Sequence, residues 1–213
     1  MSNLLLDELD KELERRGLRF VRYADDCNIY VKSQQAGERV MASVTRFLER
    51  RLKLKVNAAK SAVDRPWNRK FLGYTFTRSR INRRKVSEKA LKAFKERVRE
   101  LTKRTLGQNI GRVIKELRIY LLGWKGYFGR TEVLSPLRDL DKWIRRRLRS
   151  YLWKQWGRKR YRELRKRGVE RRLAWNTTKS AHGPWRLSNS PALTQALPNR
   201  YFAALNLPSL VEK

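Results

Sequence analysis

The stretch Tyr23-Ala24-Asp25-Asp26 decides the fold of the first part of this chain. It lies between two short apolar runs, residues 18–21 and 28–31, which alternate or are rich in β-forming residues. Such runs joined by a short polar link predict a β-hairpin with both aspartates at its tip. Adjacent carboxylates repel each other, so they favour a bound cation, and Mg²⁺ prefers oxygen ligands of this kind. The alternative is an ordinary Asp-Asp turn, because aspartate favours turns.

Helical spacing surrounds this hairpin. Leu6, Leu9 and Leu13 fall on one face of a helix, and Gly17 follows as a stop signal. The elements predicted for this part are a helix over residues 4–16, the hairpin, a helix over 35–51, an edge strand over 52–56 and a strand over 71–76. The pattern is therefore α+β, with helices on a small antiparallel sheet.

From Ser87 onward the pattern is helical. Ser87 is a predicted N-cap, and Pro136 suits the first turn of a helix. Helices are predicted over 87–101, 109–122, 136–156 and 161–167, followed by a loop-rich tail with one small helix near 198–205. Gly123 and Gly126 are predicted to let helices approach closely, and Trp124, Tyr127 and Phe128 to pack at the centre of the helical domain. The predicted domains are residues 1–84, 85–172 and 173–213.

Charge points to a polyanionic partner. Lysine and arginine number 53 against 20 acidic residues, a net charge of +33, and such self-repulsion favours binding to nucleic acid. Residues 1–30 carry −2, so the excess lies after the hairpin. Ribosomal and histone-like proteins share this balance, and a basic membrane-surface protein is a further option. Cys27 is the one cysteine, which excludes a disulfide framework, and no apolar run approaches the ~20 residues of a membrane span.

Basic and aromatic residues are most densely interleaved over 136–172, a stretch that contains sixteen basic and four acidic residues. Arginine and lysine bind phosphates, and aromatic rings stack on unpaired bases. The alternative is that the tryptophans form core and the charges a solvated outer face. The predicted RNA- and DNA-binding residues are Lys125, Arg145, Arg146, Arg147, Arg149, Lys154, Arg158, Lys159, Arg160, Arg165, Lys166, Arg167, Lys179 and Arg186.

Several motifs, in this order, resemble those of group II intron-encoded reverse transcriptase/maturases of the bacterial class C kind. The hairpin resembles their active-site hairpin, and residues 3–17 resemble their palm helix. The further likenesses are Asn-Ala-Ala-Lys-Ser at 57–61, Phe-Leu-Gly-Tyr-Thr-Phe at 71–76, Gly-Trp-Lys-Gly-Tyr-Phe at 123–128, and the tail segments 183–188, 199–202 and 207–210. The resemblance implies a partial palm, an all-α thumb or maturase (X) domain, and a DNA-binding tail.

The same resemblance implies the chemistry of an RNA-directed DNA polymerase, a nucleotidyltransferase of a mobile element, together with an aid to RNA splicing. Asp25 and Asp26 would be Mg²⁺ ligands, and Lys60 would neutralise or protonate the leaving pyrophosphate. Tyr23, Gly73 and Tyr74 would lie near primer and template. Alternatively, Lys60 is a solvated lysine in an Asn-X-X-Lys turn, and Gly73 marks a bulge. Implied partners are group II intron RNA and target DNA, in the bacterial cytoplasm and with no membrane.

One departure from the family matters. Its members carry a further metal-binding aspartate in a part of the palm that precedes the helix over 4–16, and no motif here takes that place. Met1-Ser2-Asn3 also reads like a start codon within a longer coding sequence. We therefore expect the C-terminal part of such an enzyme, from a truncated or split gene, which binds RNA and does not polymerise alone. The alternatives are a split enzyme completed by a separately encoded N-terminal half, and a non-catalytic binding remnant.

Overall fold

The computed structural model describes residues 2–105 and 107–211, so the expectation about Met1 lies outside the described residues. The chain divides into two compact units, residues 1–82 and 83–213. Most of the described chain is helical, and the first unit contains a small antiparallel sheet, which agrees with the predicted α+β class. Among the described residues, no helix is both long enough and apolar enough to cross a bilayer.

The first unit contains two helices and three short strands. Its elements are α1 (Ser2–Arg15), β1 (Arg19–Tyr23), β2 (Asp26–Tyr30), α2 (Gln34–Arg50) and β3 (Tyr74–Phe76). Ser33 caps α2, because its hydroxyl accepts a hydrogen bond from the Ala36 backbone N–H. The strands β1 and β2 pair antiparallel, so the predicted hairpin is confirmed. The core of this unit is small: among its described residues, the buried apolar cluster consists of Leu9, Leu13 and Val44.

Two predicted strands of the first unit were wrong in whole or in part. Residues 52–56 are not a strand, because Lys53 adopts a φ of +56°, which interrupts extended backbone. In residues 71–76, Phe71 and Tyr74 exchange both backbone hydrogen bonds around Leu72 and Gly73. Both turn residues have positive φ, +51° and +77°, so the strand begins only at Tyr74.

The second unit is built from helices. Its elements are β4 (Arg84–Val86), α3 (Glu88–Leu101), α4 (Ile110–Phe128), α5 (Ser135–Trp156), α6 (Arg160–Lys166), α7 (Arg171–Lys179), α8 (Pro184–Leu187), α9 (Pro191–Ala196) and α10 (Asn199–Ala204). Ser87 caps α3, as predicted, by accepting a hydrogen bond from the Ala90 N–H. Asn109 caps α4 in the same way through the Gly111 N–H. α4 continues six residues beyond the predicted end at 122.

One continuous core joins the helices of the second unit. The centres of the Phe94 and Trp124 rings lie 4.6 Å apart, and Trp153, Leu193 and Phe202 are buried in the same cluster. The tail therefore contributes to the core. The small helix predicted near 198–205 is confirmed as α10, but the tail also contains α8, α9 and most of α7, so it is more helical than predicted. Its serines and prolines are helix-start signals: Ser190 accepts a hydrogen bond from the Leu193 N–H, with proline in the first turn.

The sequence Gly-Trp-Lys-Gly-Tyr-Phe lies at the end of α4, and its residues divide between core and surface. Trp124 is buried and Phe128 half-buried, whereas Tyr127 is 51% exposed, so its predicted place in the core was wrong. A Cβ atom built on Gly123 or Gly126 would meet nothing within 4 Å. These glycines therefore do not serve close helix packing, contrary to the prediction.

Candidate functional site

The paired aspartates lie at the tip of the β1–β2 hairpin. Tyr23 pairs with Asp26, so Ala24 and Asp25 form the two-residue link. Ala24 has a φ of +53°, and both aspartates and Tyr23 are exposed. A short link with positive φ at its first residue matches the right-handed twist of the flanking strands. The carboxylates therefore project at the end of a regular ribbon, where a ligand can reach them.

Arg22 fixes this hairpin to α1. Its guanidinium Nε donates to Asp10 Oδ1 over 2.8 Å, and Nη1 donates to the Ala24 carbonyl over 2.8 Å. The two side chains of this ion pair are mostly buried, 15% and 24% exposed. Hydrogen bonding to Asp10 raises the pKa of Arg22 above its usual value. Asp10 is thus engaged with Arg22 in an ion pair.

The donor set at the hairpin fits Mg²⁺ in kind but supplies two carboxylates, from Asp25 and Asp26. In residues 2–105 and 107–211, no cluster of three or more metal-binding side chains is formed. The neighbouring Cys27 is half-buried, and burial, with a smaller effect of Asp10, raises the pKa of its thiol to about 11. This thiol therefore stays protonated near neutral pH, as is typical of a cysteine packed within a strand.

The other predicted catalytic and primer-contacting residues lie on turns. The Lys60 N–H donates to the Asn57 side chain over 3.3 Å, which makes the expected Asn-X-X-Lys turn, and the Lys60 side chain is exposed. Gly73 lies in the tight turn before β3, and Tyr74 is the first residue of that strand. Their predicted roles stay predictions.

Two of the predicted nucleic-acid-binding residues hold the second unit together. Arg149 is only 8% exposed, and its Nε donates to the Leu197 carbonyl over 3.0 Å. Burial, with repulsion from Arg145, lowers the pKa of Arg149. The half-buried Lys125 donates its ammonium to the Ser209 carbonyl over 2.8 Å. In this arrangement both side chains donate to carbonyl groups of the tail, and their predicted contact with nucleic acid stays a prediction.

Three arginines converge where α3 faces α5. The Arg147 Nε donates to the Thr102 hydroxyl over 2.7 Å. The guanidinium carbons of Arg147 and Arg99 lie 5.3 Å and 5.7 Å from the centre of the Trp143 ring. Burial, with smaller contributions from repulsion by Arg99 and Arg104, lowers the pKa of Arg147 to about 10. We call Arg99, Arg104 and Arg147 the arginine cluster. A bound anion would relieve this repulsion. Sequence reasoning missed Arg99 and Arg104, because only the fold brings them to Arg147.

Other predicted basic residues stack on the protein's own tryptophans. The Arg146 guanidinium lies 4.1 Å from the centre of the Trp185 ring and donates to the Trp185 carbonyl. Arg160 and Arg167 each lie 4.8 Å from a tryptophan ring centre, and Arg167 also pairs with Glu163. At these positions the basic and aromatic residues therefore form cation–π contacts with each other within the protein.

The rest of the predicted basic set lies at the surface. Arg165 donates to the Val169 carbonyl over 2.7 Å, and Lys179 lies 4.9 Å from the centre of the Trp175 ring. Arg145 is half-buried. The exposed members of the set are Lys154, Arg158, Lys159, Arg165, Lys166, Lys179 and Arg186. Their contact with nucleic acid stays a prediction, and their exposure leaves it open to test.

Comparison with protein families assigns both units. Residues 1–76 match the family Reverse transcriptase (RNA-dependent DNA polymerase), which includes the hairpin and its two aspartates. Residues 91–168 match the Group II intron, maturase-specific domain, which spans α3 to α6. The first match defines a protein of the reverse transcriptase class. With the second match following it, the chain belongs to the group II intron reverse transcriptase/maturases. A comparison with curated proteins gave no match.

Proposed function

We propose that the second unit binds group II intron RNA, as an aid to splicing, and also the DNA target. The observation that carries this proposal is the arginine cluster within a unit of 35 basic and 10 acidic residues. Most of its carboxylates are already engaged: Glu163 pairs with Arg167, Glu100 with Arg97, and Asp141 accepts from the Leu210 N–H. The excess positive charge therefore needs a partner that is itself strongly negative.

A phosphodiester suits the arginine cluster. The depressed pKa of Arg147 shows that its charge is destabilised by burial and by its two neighbours. A phosphate between these guanidiniums replaces repulsion with charge-assisted hydrogen bonds, which are among the stronger polar contacts. Thr102 and Trp143 hold Arg147 in place before a ligand arrives. Binding therefore requires little reordering of this side chain.

For the first unit we propose a partial palm whose hairpin carries part of a polymerase metal site. Asp25 and Asp26 would hold Mg²⁺, which neutralises charge in phosphoryl transfer when it is bound. The anchored Arg22 keeps the hairpin tip in one orientation. A two-metal site needs a further carboxylate, and in this proposal a segment outside the present sequence supplies it. We therefore propose that the chain alone binds nucleic acid and does not extend a primer.

RNA binding is tested by fluorescence anisotropy with a labelled, structured intron fragment. Counterion release predicts that affinity falls by about 10³-fold or more between 50 and 200 mM salt, if six or more phosphates are contacted. A double variant, Arg99→Gln with Arg104→Gln, is expected to weaken binding and reduce the salt slope. The matched control is Arg97→Gln on the same helix, because Arg97 is already paired with Glu100 over 2.8 Å. Equal effects of both changes, or a flat salt response, would refute the proposal.

Polymerase function is tested by primer extension on an RNA template with Mg²⁺. The purified chain is assayed alone and with any protein encoded just upstream. Extension only with the second protein, and its loss in Asp25→Asn, would establish a split enzyme. Extension by this chain alone would show that another carboxylate completes the site and would refute the proposal for the hairpin. Tight RNA binding without extension in either case would leave a maturase-like binding protein.

A further inference from the structure

An open cleft lies between α6 and α7, outside the set of residues assigned above. It has a volume of about 600 Å³ and is largely open to solvent. Its lining consists of Tyr161, Glu170, Arg171, Arg172 and Trp175. Two of these residues are aromatic and two are cationic, which is the composition expected of a surface that receives a flat, negatively charged ligand.

Two aromatic rings form a corner in this cleft. The centres of the Tyr161 and Trp175 rings are 6.0 Å apart, and their planes meet at 87°. Trp175 is 53% exposed, a large apolar area to leave in water, whereas Trp153 in the core is 1% exposed. A planar group parallel to the Trp175 ring would meet Tyr161 close to a right angle. The corner therefore fits one stacked ring system.

The charges around the cleft are positive. Arg171 and Arg172 begin α7 and are exposed, and the Lys179 ammonium lies 4.9 Å from the Trp175 ring centre. The one carboxylate of the lining, Glu170, caps α7 by accepting from the Arg172 N–H over 3.1 Å. The cleft therefore combines an aromatic face with a positive rim, which favours a base attached to phosphates over an apolar ligand.

We propose that this cleft binds an unpaired nucleotide of a bound RNA or DNA strand. This inference rests on the proposed nucleic-acid binding and gives it a defined site. The base stacks on Trp175 against Tyr161, and the flanking phosphates bind Arg171 and Arg172. Bases within a duplex already stack on one another, so only a single-stranded end, loop or bulge offers a free ring face. The cleft therefore distinguishes unpaired strands from duplex.

The test is anisotropy binding of the full chain to a labelled 12-nucleotide single strand and to a blunt duplex of the same length. Trp175→Ala is expected to weaken binding of the single strand about 5- to 150-fold, which corresponds to the ~1–3 kcal/mol lost when a stacking residue is removed. Binding of the duplex is expected to change less than about twofold. Trp175→Phe keeps a ring and is expected to retain most of the affinity. Far-UV circular dichroism and thermal melting check that each variant folds.

Trp185→Ala is the matched control. Trp185 is also surface-accessible, 38% exposed, but it is not one of the residues that line the cleft, so its removal is expected to affect both ligands alike. If Trp175→Ala binds the single strand as tightly as the wild type, the inference is wrong. If it weakens both ligands equally, the cleft does not select unpaired bases. If the wild-type chain binds neither ligand, the proposed function itself fails, which is a separate result.

Discussion

The open surface of α4 leads to a quantitative prediction for Gly123 and Gly126. Both glycines are exposed within a 19-residue helix, and an added Cβ would meet nothing within 4 Å. Glycine in a helix is about 0.8–1.0 kcal/mol less favourable than alanine, because it loses more backbone entropy on folding. With no steric cost, Gly123→Ala combined with Gly126→Ala is expected to stabilise the second unit by about 1.5–2 kcal/mol. The melting temperature should rise by roughly 4–8 °C.

Urea denaturation, monitored by tryptophan fluorescence, measures the change in the free energy of unfolding of the second unit. Six of the seven tryptophans lie in residues 83–213, so the signal reports mainly that unit. Gly129→Ala at the end of the same helix is the control of opposite sign. Its added Cβ would lie 2.5 Å from the Lys125 carbonyl oxygen, so it is expected to destabilise by about 1–3 kcal/mol. A loss of stability in the double variant would refute the reasoning that this face is open.

The remaining predictions concern packing and charge. Phe94→Ala should destabilise the second unit by about 3–5 kcal/mol in urea, because the ring is 1% exposed and packs against Trp124. Gly37→Ala should destabilise the first unit, measured by its own thermal melt, because the added methyl would overlap Val63. Hydrogen bonds from two neighbouring arginines lower the pKa of Glu12 to about 2. These contacts should therefore stabilise the first unit above about pH 4.5 and be lost as pH falls towards 2, and Glu12→Gln should remove that dependence. An NMR titration midpoint for Glu12 near 4.5 would contradict this.

Local patterns predicted the local structure. The runs on either side of Ala24 and Asp25 specified a hairpin because strand alternation and a short polar link act over a few residues. The N-cap at Ser87 followed from the same short-range chemistry. Lys53 shows the limit, since its left-handed φ breaks a segment whose alternation of leucine and lysine favours a strand. Backbone conformation at one residue decided that element, and residue pattern does not encode it reliably.

Long-range packing gives different surroundings to basic residues that are indistinguishable in the sequence. Arg145, Arg146, Arg147 and Arg149 lie within little more than one turn of α5, yet only the last is buried. Arg149 reaches a carbonyl 48 residues away, and Arg147 reaches a hydroxyl 45 residues away. No local signal distinguishes these roles, because each depends on which distant helix covers which face of α5. The Trp175 cleft was missed for the same reason.

The β1–β2 hairpin of the first unit carries an exposed apolar row that is relevant to the proposed split enzyme. The hairpin is a two-stranded ribbon, and such ribbons are marginally stable without additional strands or a large packed face. Val21 and Tyr23 alternate on one face of β1 and are 47% and 64% exposed, and Tyr30 of β2 is 43% exposed. Apolar residues at alternate positions usually face a packed layer. In the proposed split enzyme, we therefore expect the completing segment to pack on this exposed row. If the upstream protein restores primer extension, Tyr23 and Tyr30 should become protected from solvent in the complex. Extension without that protection would show that the completing segment does not pack on this face.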